Sequence, residues 1–420
     1  MAAVPEPADV KPFAVQLAES GNINQQHQSP LFIKMPKEMR DLIFEYALLA
    51  YPHPDRPYNN KERYARPGVS GHPRIAVELL LMCKAAYVEA YQLPITLNPI
   101  VIYHDNASHI PPHARSGTNK LKALHPWQRA ALHMVDISLQ QIHLEGRVIQ
   151  RTALHLDVER RYGVTRAFSA ARDHRGSAGP LQTLSEPGNL TETPPAPSLT
   201  ATPESRAQRL SGLEMPSADY NMPRVISRLT LRLGRTEWWT WEDTPSHPDA
   251  RLAIDPGHGN VWFGDRCTST LMIAEANKRR EGEWTGWATP RCWGAQVADF
   301  KGLRELELIF ETFKLKEKQL DTVVDCAMTW TFPMEDGYEL AWDGKVEKDS
   351  WMGVDDYGYE ERNVWLREHE ALPTPAGERT EEEVREAEQA RKKLIEENPL
   401  PDHRLFVVRT IRYSRRRCSP

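Results

Sequence analysis

Residues Pro30 to Leu48 read PLFIKMPKEMRDLIFEYAL, and residues Glu78 to Pro94 read ELLLMCKAAYVEAYQLP. In the first stretch Pro36 suits the first helical position, where its missing N–H costs nothing, and Glu38 faces the positive end of the helix. Apolar residues then recur with helical spacing at Met39, Leu42, Ile43, Tyr46 and Ala47. The second stretch repeats this period at Leu79, Met82, Cys83, Ala86, Tyr87 and Ala90. We predict two amphipathic helices, the second ended by Pro94.

Two short amphipathic helices cannot bury both apolar stripes by themselves, and neither of these helices carries a reactive group. The stripes therefore need a partner protein or the rest of this chain. We predict a partner-binding surface formed by Met35, Pro36, Met39, Leu42, Ile43 and Tyr46. Pro36, Ile43 and Tyr46 are the expected apolar anchors. The alternative is internal packing of the helical pair against the C-terminal part of the chain.

The length, net charge and cysteine content of the chain argue against several classes of protein. It has 420 residues, a net charge of −5 and no apolar run of the roughly 20 residues that cross a bilayer, so we expect neither a nucleic-acid nor a membrane partner. Five cysteines without a C-x-x-C spacing suit a reducing compartment. The N-terminus lacks a signal-peptide pattern, so an intracellular location, cytoplasmic or nuclear, is expected.

Composition also divides the chain. A mean hydropathy of −0.59 and 33 prolines predict long disordered stretches. We divide the chain into a disordered tail at 1–28, a helical module at 29–105, an α/β recognition domain at 120–168 and 224–413, a disordered Pro/Ser/Thr-rich insertion at 169–223, and a basic tail at 414–420. Within the module, residues 51–73 are rich in proline and tyrosine and are expected to form a polar loop.

Three later segments share apolar residues at offsets 0, 3 and 5. They are Leu132/Val135/Ile137, Ile226/Leu229/Leu231 and Leu303/Leu306/Leu308. The last two positions of each set alternate as one face of a strand does. The L-x-x-L-x-L spacing is that of a leucine-rich repeat. Ordinary strands of an α/β sheet are the alternative, because the segments lie much farther apart than the 20–29 residues of such repeats.

The C-terminal part adds further expected elements. An amphipathic helix at residues 320–328 leads into a strand at 330–332, and the order strand, helix, strand predicts a parallel crossover. Residues 405–413 are expected to form a last strand. Its arginines, with Arg415 to Arg417, fit a polar edge strand with a solvated tail, or alternatively a nuclear-import signal.

Of the 12 tryptophans, all but Trp127 lie between residues 238 and 365. A tryptophan buries roughly 150–250 Å² of surface, so most of these rings are expected in the core. The remainder could form a platform that holds a target. The candidate target-binding residues are Trp239 and Trp241.

Reactive sites are poorly supported by the sequence. His104, His109 and His113 lack a fourth zinc ligand. The stretch from Asp255 to Asn260 lacks the sequence that ends a phosphate loop, and a turn beside Trp262 explains it better. Acidic residues occur among aromatic ones as in a glycosidase cleft, at Asp336, Asp343, Asp355 and Asp356 beside Trp342, Trp351 and Tyr357. We predict no catalytic residue, no metal and no cofactor.

The two helical stretches resemble the F-box-like module of a large group of uncharacterised filamentous-fungal proteins. The matching residues are Met35, Pro36, Glu38, Ile43, Tyr46, Leu80, Leu81, Cys83, Lys84, Tyr87, Glu89 and Ala90. Residues 138–146, 236–245 and 303–313 are also similar to that group. The resemblance implies docking to a Skp-type adaptor of a cullin ubiquitin ligase, with the rest of the chain as a recognition surface.

We therefore predict an α/β protein with an N-terminal F-box-like helical pair and an irregular sheet-and-helix domain that resembles leucine-rich repeats. The predicted function is non-enzymatic: a substrate-recognition adaptor of a cullin-type ubiquitin ligase that also binds an unknown target. One alternative is a self-contained binding protein with no link to a ligase. The other is a carbohydrate-active enzyme that uses the acidic, aromatic region.

Overall fold

The fold combines helices with a seven-stranded sheet, which confirms the predicted α/β class. The structure is a computed structural model. It describes residues 11–24, 26, 28–59, 65–66, 69–104, 110–111, 114, 119–156, 226–234, 252–258, 267–283, 287, 291–352, 380, 382, 385–386, 389 and 405–418. The predicted insertion at 169–223 lies outside these residues.

The helices are numbered along the chain. They are α1 (Phe13–Glu19), α2 (Pro30–Ile33), α3 (Lys37–Leu48), α4 (Glu78–Leu81), α5 (Lys84–Ala90), α6 (Leu93–Thr96), α7 (Asn119–Lys122), α8 (Pro126–Ala130), α9 (Gln141–Glu145), α10 (Val148–Leu156), α11 (Ser269–Arg280), α12 (Trp293–Gln296) and α13 (Glu317–Ala327).

The strands are β1 (Tyr51–Pro57), β2 (Gly71–Arg74), β3 (Ile100–His104), β4 (Met134–Leu139), β5 (Arg228–Leu233), β6 (Glu305–Phe313), β7 (Thr331–Pro333), β8 (Tyr338–Met352) and β9 (Leu405–Arg417). β1 and β2 form an antiparallel pair, so the segment expected as a polar loop contains a hairpin. The other strands form one sheet in the order β3-β4-β5-β6-β9-β8-β7.

The three repeated segments become neighbouring parallel strands in equivalent register. Val135 pairs with Leu229, and Leu229 pairs with Leu306. Two residues farther on, Ile137, Leu231 and Leu308 align in the same way. Neighbouring parallel strands are about 4.8 Å apart, so these side chains form continuous apolar rows across the sheet.

A fourth copy of the spacing was missed in the sequence. Leu97, Ile100 and Ile102 have the same offsets, and β3 places Ile100 beside Val135 and Ile102 beside Ile137. The main core is built on the resulting face of the sheet, against buried residues of α10, α11 and α13 that include Ile149, Met272 and Val323. The predicted boundary at residue 105 is therefore too late, because β3 already belongs to this sheet.

The second half of the sheet is antiparallel, and three predictions were wrong there. β7 is separated from β6 by β9 and β8 and runs in the opposite direction to β6, so the segment from β6 through α13 to β7 is not a parallel crossover. β9 lies inside the sheet, between β6 and β8, instead of at its edge. β9 also extends to Arg417, so most of the expected basic tail at 414–420 belongs to a strand.

The N-terminal module differs from the expected helical pair in its helix boundaries. Pro36 is the N-cap of α3 instead of its first helical residue. The second helix is interrupted at Cys83, whose Sγ accepts a hydrogen bond from the Ala86 N–H at 3.4 Å and so caps α5. Pro94 does not end a continuous helix but lies in the first turn of α6.

The expected disordered tail at 1–28 contains helix α1. Ala14, Val15 and Ala18 of this helix are buried. Ala14 and Ala18 belong to a small core with Val88 and Tyr91, the second of which lies 5.3 Å from Trp127 between ring centroids. The apolar residues of α1 are small and few, so the sequence signal was weak. The prediction was wrong because tertiary packing supplies the partners that this helix needs.

We expect Leu231→Ala to lower the free energy of unfolding by about 2–5 kcal/mol, because it leaves a cavity in the middle of an apolar row. Leu154→Ala on α10 is the matched control: that leucine is 41% exposed, and its replacement should change the free energy by no more than about 0.5 kcal/mol. Urea denaturation measures the free energy of unfolding of both variants. Equal effects of the two substitutions would contradict the assignment of Leu231 to the core.

Candidate docking surface

Helix α3 has two apolar faces, and among the described residues only one of them packs against a core. Arg40, Phe44 and Leu48 are buried at successive four-residue steps along it. Phe44 and Leu48 form a core with Ala86 and Ala90 of α5. This inward face was missed in the sequence, where Phe44 and Leu48 stood outside the predicted stripe. Their spacing of four was an available signal.

An ion pair with both side chains buried holds α3 to α5. The Arg40 guanidinium donates from Nη2 to Glu89 Oε1 at 2.7 Å and from Nε to Glu89 Oε2 at 3.1 Å. The two side chains are 5% and 4% exposed. Arg40 Nη1 also donates to the Met35 carbonyl at 2.9 Å, and its guanidinium lies 5.3 Å from the centre of the Phe32 ring. A buried charge pair with this geometry determines how α3 is rotated about its axis.

A buried amide also fixes the end of α3. The Asn98 side chain donates to the carbonyls of Leu48 and Pro94, each at 2.9 Å, and accepts from the Ala50 N–H at 2.6 Å. It therefore provides partners for backbone groups at the ends of α3 and α6, which are otherwise without intrahelical partners. The Arg40–Glu89 ion pair near the start of α3 and the Asn98 hydrogen bonds at its end thus both attach this helix to the rest of the module.

The outward face of α3 carries the residues that the sequence singled out for partner binding. Met39 is 50% exposed, Leu42 58%, Ile43 37% and Tyr46 87%. The remaining two predicted residues lie at the start of the helix: Pro36 is exposed and Met35 is partly buried. We call Met39, Leu42, Ile43 and Tyr46 the α3 outer face. Exposed apolar side chains grouped on one helix mark interaction sites more often than isolated ones do.

A second exposed apolar group lies on the same module, around α4. The exposed residues are Val77, Leu81 and Met82. Their neighbours Leu79 and Leu80 pack instead against the core of Phe44 and Leu48. The stretch from Glu78 to Pro94 therefore also contains both buried-side and exposed apolar residues, and its helical period alone did not distinguish the two sets.

The tryptophans that the structure describes lie mostly in or beside cores. Trp293 and Trp330 are fully buried, with ring centroids 5.6 Å apart. Trp351 stacks on Phe406 at 4.8 Å and donates from Nε1 to Glu311 at 3.0 Å. Trp239 and Trp241, the candidate target-binding residues, lie outside the described residues.

His104, the first of the predicted histidine group, lies beside His143 with ring centroids 6.0 Å apart. Burial, together with the neighbouring charges of His143 and Arg151, lowers the pKa of His104 to about 4. His104 is therefore neutral near pH 7. His109 and His113 lie outside the described ranges, within which no group of three metal-ligating side chains is found.

The stretch at Asp255 forms a turn, as expected, and its carboxylate has structural partners. The Gly257 N–H donates to Asp255 Oδ1 at 2.8 Å, and Arg279 donates to both carboxylate oxygens at 2.8 Å. Burial opposes ionisation of Asp255, but the nearby His258, whose Nδ1 lies 3.9 Å from Oδ1, and the hydrogen bonds from Arg279 outweigh it, so the pKa of Asp255 is lowered. This carboxylate attaches the turn to α11. Trp262, the expected neighbour, lies outside the described residues.

The carboxylates considered for acid–base chemistry are only partly described. Asp343 is exposed, and its Oδ1 accepts a hydrogen bond from the Lys345 N–H at 2.9 Å in an irregular part of β8. Asp355, Asp356 and Tyr357 lie outside the described residues, as does the Asp336 side chain. The described contacts of Asp343 and Trp351 are those of a turn and of an aromatic stack.

The arginines of β9 form contacts within the chain. Arg412 donates to Glu307 at 2.8 Å and to Glu347 at 2.5 Å, while Arg416 donates to Glu339 at 2.8 Å. The Arg415 guanidinium lies 4.2 Å from the centre of the Tyr338 ring. These partners explain the basic composition of the strand without a ligand.

Comparisons with protein-family models, curated proteins and solved structures found no match to this chain. In the described part of the chain, no helix combines the length and apolar character needed to cross a membrane. The geometry of the α3 outer face is therefore the observation from which a function must be argued.

We expect Glu89→Ala to lower the free energy of unfolding by about 3–5 kcal/mol, because it leaves the Arg40 guanidinium buried without its carboxylate. The double variant Arg40→Met/Glu89→Leu should lower the free energy of unfolding by less than Glu89→Ala does, since it replaces both charged groups with apolar ones. Urea unfolding followed by circular dichroism tests the order of the variants. A double variant at least as unstable as Glu89→Ala would show that the pair does not have the proposed role.

Proposed function

We propose that this chain is a non-enzymatic interaction protein whose α3 outer face docks into an apolar groove of a partner. In its most concrete form the partner is a Skp-type adaptor, which would connect the chain to a cullin-type ubiquitin ligase inside the cell. The α/β domain would then present a target protein. The single observation that carries this proposal is the exposure of Met39, Leu42, Ile43 and Tyr46 on one face of a rigidly held helix.

Rigid attachment of α3 supports binding through this face. Arg40, Phe44 and Leu48 hold the helix to the module, so a partner need not pay the entropy of ordering it. Full burial of an exposed leucine or isoleucine contributes about 1.5–3 kcal/mol. A few such anchors at the centre of an interface supply most of its binding energy.

The composition of the α3 outer face favours a protein partner. Its side chains are aliphatic, thioether and aromatic groups, with the acidic Glu38 and Glu45 exposed on the same helix. Such a helix fits the mode in which an amphipathic helix lays its apolar face into a groove.

We expect Leu42→Asp to weaken binding of a purified Skp-type adaptor at least tenfold, because about 1.5 kcal/mol or more of apolar burial is lost. Leu154→Asp is the matched control, since this leucine is also exposed, at 41% against 58% for Leu42, but lies on α10. Isothermal titration calorimetry of the full chain measures the affinities.

Thermal unfolding of both variants separates lost docking from lost folding, and both should retain the wild-type midpoint. Failure of the wild-type chain to bind the adaptor would reject the ligase link. Equal weakening by the two substitutions would reject the α3 outer face as the docking site.

A further inference from the structure

Two histidines lie together at the carboxyl ends of neighbouring parallel strands. His104 is the last residue of β3 and pairs in register with Leu139, the last residue of β4. The chain then enters α9 after Gln140, and α9 carries His143. The two imidazole rings have centroids 6.0 Å apart and planes inclined at 51°. The register of the sheet and the short connection from β4 to α9 therefore set the spacing of the two rings.

Nε2 of His104 is a buried polar atom without a hydrogen-bond partner among the described residues. Buried polar groups nearly always have a partner, so an orphaned nitrogen requires an explanation, and a bound ion is one. Burial lowers the pKa of both imidazoles, and the charges that add to this effect are those of His143 and Arg151. Within the described part of the chain, no carboxylate therefore holds either ring in a structural ion pair.

Both imidazoles are in the protonation state that binds metal ions. The pKa of His104 is about 4 and that of His143 lies below its ordinary value of 6.5, so the neutral ring predominates in each at pH 7. A neutral imidazole has one nitrogen with a free lone pair, and zinc, nickel and copper ions accept this donor. Hard ions such as magnesium prefer oxygen ligands.

The spacing of the rings suits one ion that both of them share. A zinc–nitrogen bond is about 2.0–2.1 Å long and an imidazole centroid lies roughly 1.1 Å beyond its nitrogen, so each centroid is about 3.2 Å from a bound ion. For bond angles between about 90° and 180°, two such rings have centroids roughly 4.5–6.4 Å apart. The observed separation of 6.0 Å lies within this range. An ion between the rings therefore needs no change in their spacing.

We propose that His104 and His143 bind one divalent transition-metal ion, such as zinc, with water completing its coordination. Two protein ligands make a weaker site than the four of a structural zinc centre, and they leave positions open to water or to a further ligand. The carboxyl ends of parallel strands are also where open α/β sheets bind ligands. The site is separate from the α3 outer face, so it stands or falls independently of the proposed docking function.

The charge of Arg151 distinguishes a metal site from an anion site. Arg151 is exposed, and its Nη2 donates to the Gly146 carbonyl at 3.0 Å. Solvent and salt screen an exposed charge, so this arginine weakens the binding of a cation without preventing it. An anion would instead be attracted by the same charge. Arg151→Gln should therefore raise the affinity for a metal ion and lower the affinity for an anion.

The test is isothermal titration calorimetry of the full chain with Zn²⁺ at pH 7, with Mg²⁺ as the ion that this site should not bind. His104→Gln and His143→Gln should each weaken the binding of one Zn²⁺ at least tenfold, because each removes one of the two protein ligands. Arg151→Gln should strengthen it roughly twofold to fivefold, because one repelling charge is removed. Electron paramagnetic resonance of bound Cu²⁺ should show two nitrogen ligands in wild type and one in either histidine variant.

His125→Asn is the matched control. It removes an exposed imidazole at the N-cap of α8 and keeps a side chain suited to that position, so Zn²⁺ binding should be unchanged. Far-ultraviolet circular dichroism establishes that each variant is folded. The proposal is overturned if wild type binds no Zn²⁺, if the folded histidine variants bind it as wild type does, or if Arg151→Gln weakens the binding.

Discussion

The orientation of helix α3 depends on one buried ion pair. Arg40 and Glu89 lie almost completely out of solvent and bond through two nitrogen–oxygen contacts. Two charges in this environment are tolerated only while they are paired, because either alone would carry the full desolvation cost. The pair therefore selects the rotation of α3 in which Arg40, Phe44 and Leu48 point inward. That rotation leaves Met39, Leu42, Ile43 and Tyr46 outside.

The sheet depends on a different constraint, which is register. A shift of one residue in any of the parallel strands would move its apolar side chains to the opposite face. The rows formed by Val135, Leu229 and Leu306, and by Ile137, Leu231 and Leu308, exist because every strand keeps the same offset. The same alternation collects the charged residues on the other face. The apolar core and the charged face of the sheet are thus two results of one register.

The sequence predicted much of this architecture where the local pattern was strong. The offsets 0, 3 and 5 located β4, β5 and β6, and the helical period located α3 and α13. It failed where the outcome depended on distant partners. Helix α1 has few apolar residues and is stabilised by contacts with α5. The arginines of β9 indicated an edge strand, but their carboxylate partners lie on β6, β8 and α13. No local pattern could show those pairings.

The candidate site shows the same division most clearly. The sequence by itself determined that α3 is amphipathic and which apolar residues share one of its sides. Only the tertiary structure decided that this side is exposed, since α3 carries a second inward set of residues. The inward set prevails because Phe44 and Leu48 meet Ala86 and Ala90 while Arg40 meets Glu89, 49 residues away. A helical period specifies which residues lie together, but burial is determined by contacts that no single segment contains.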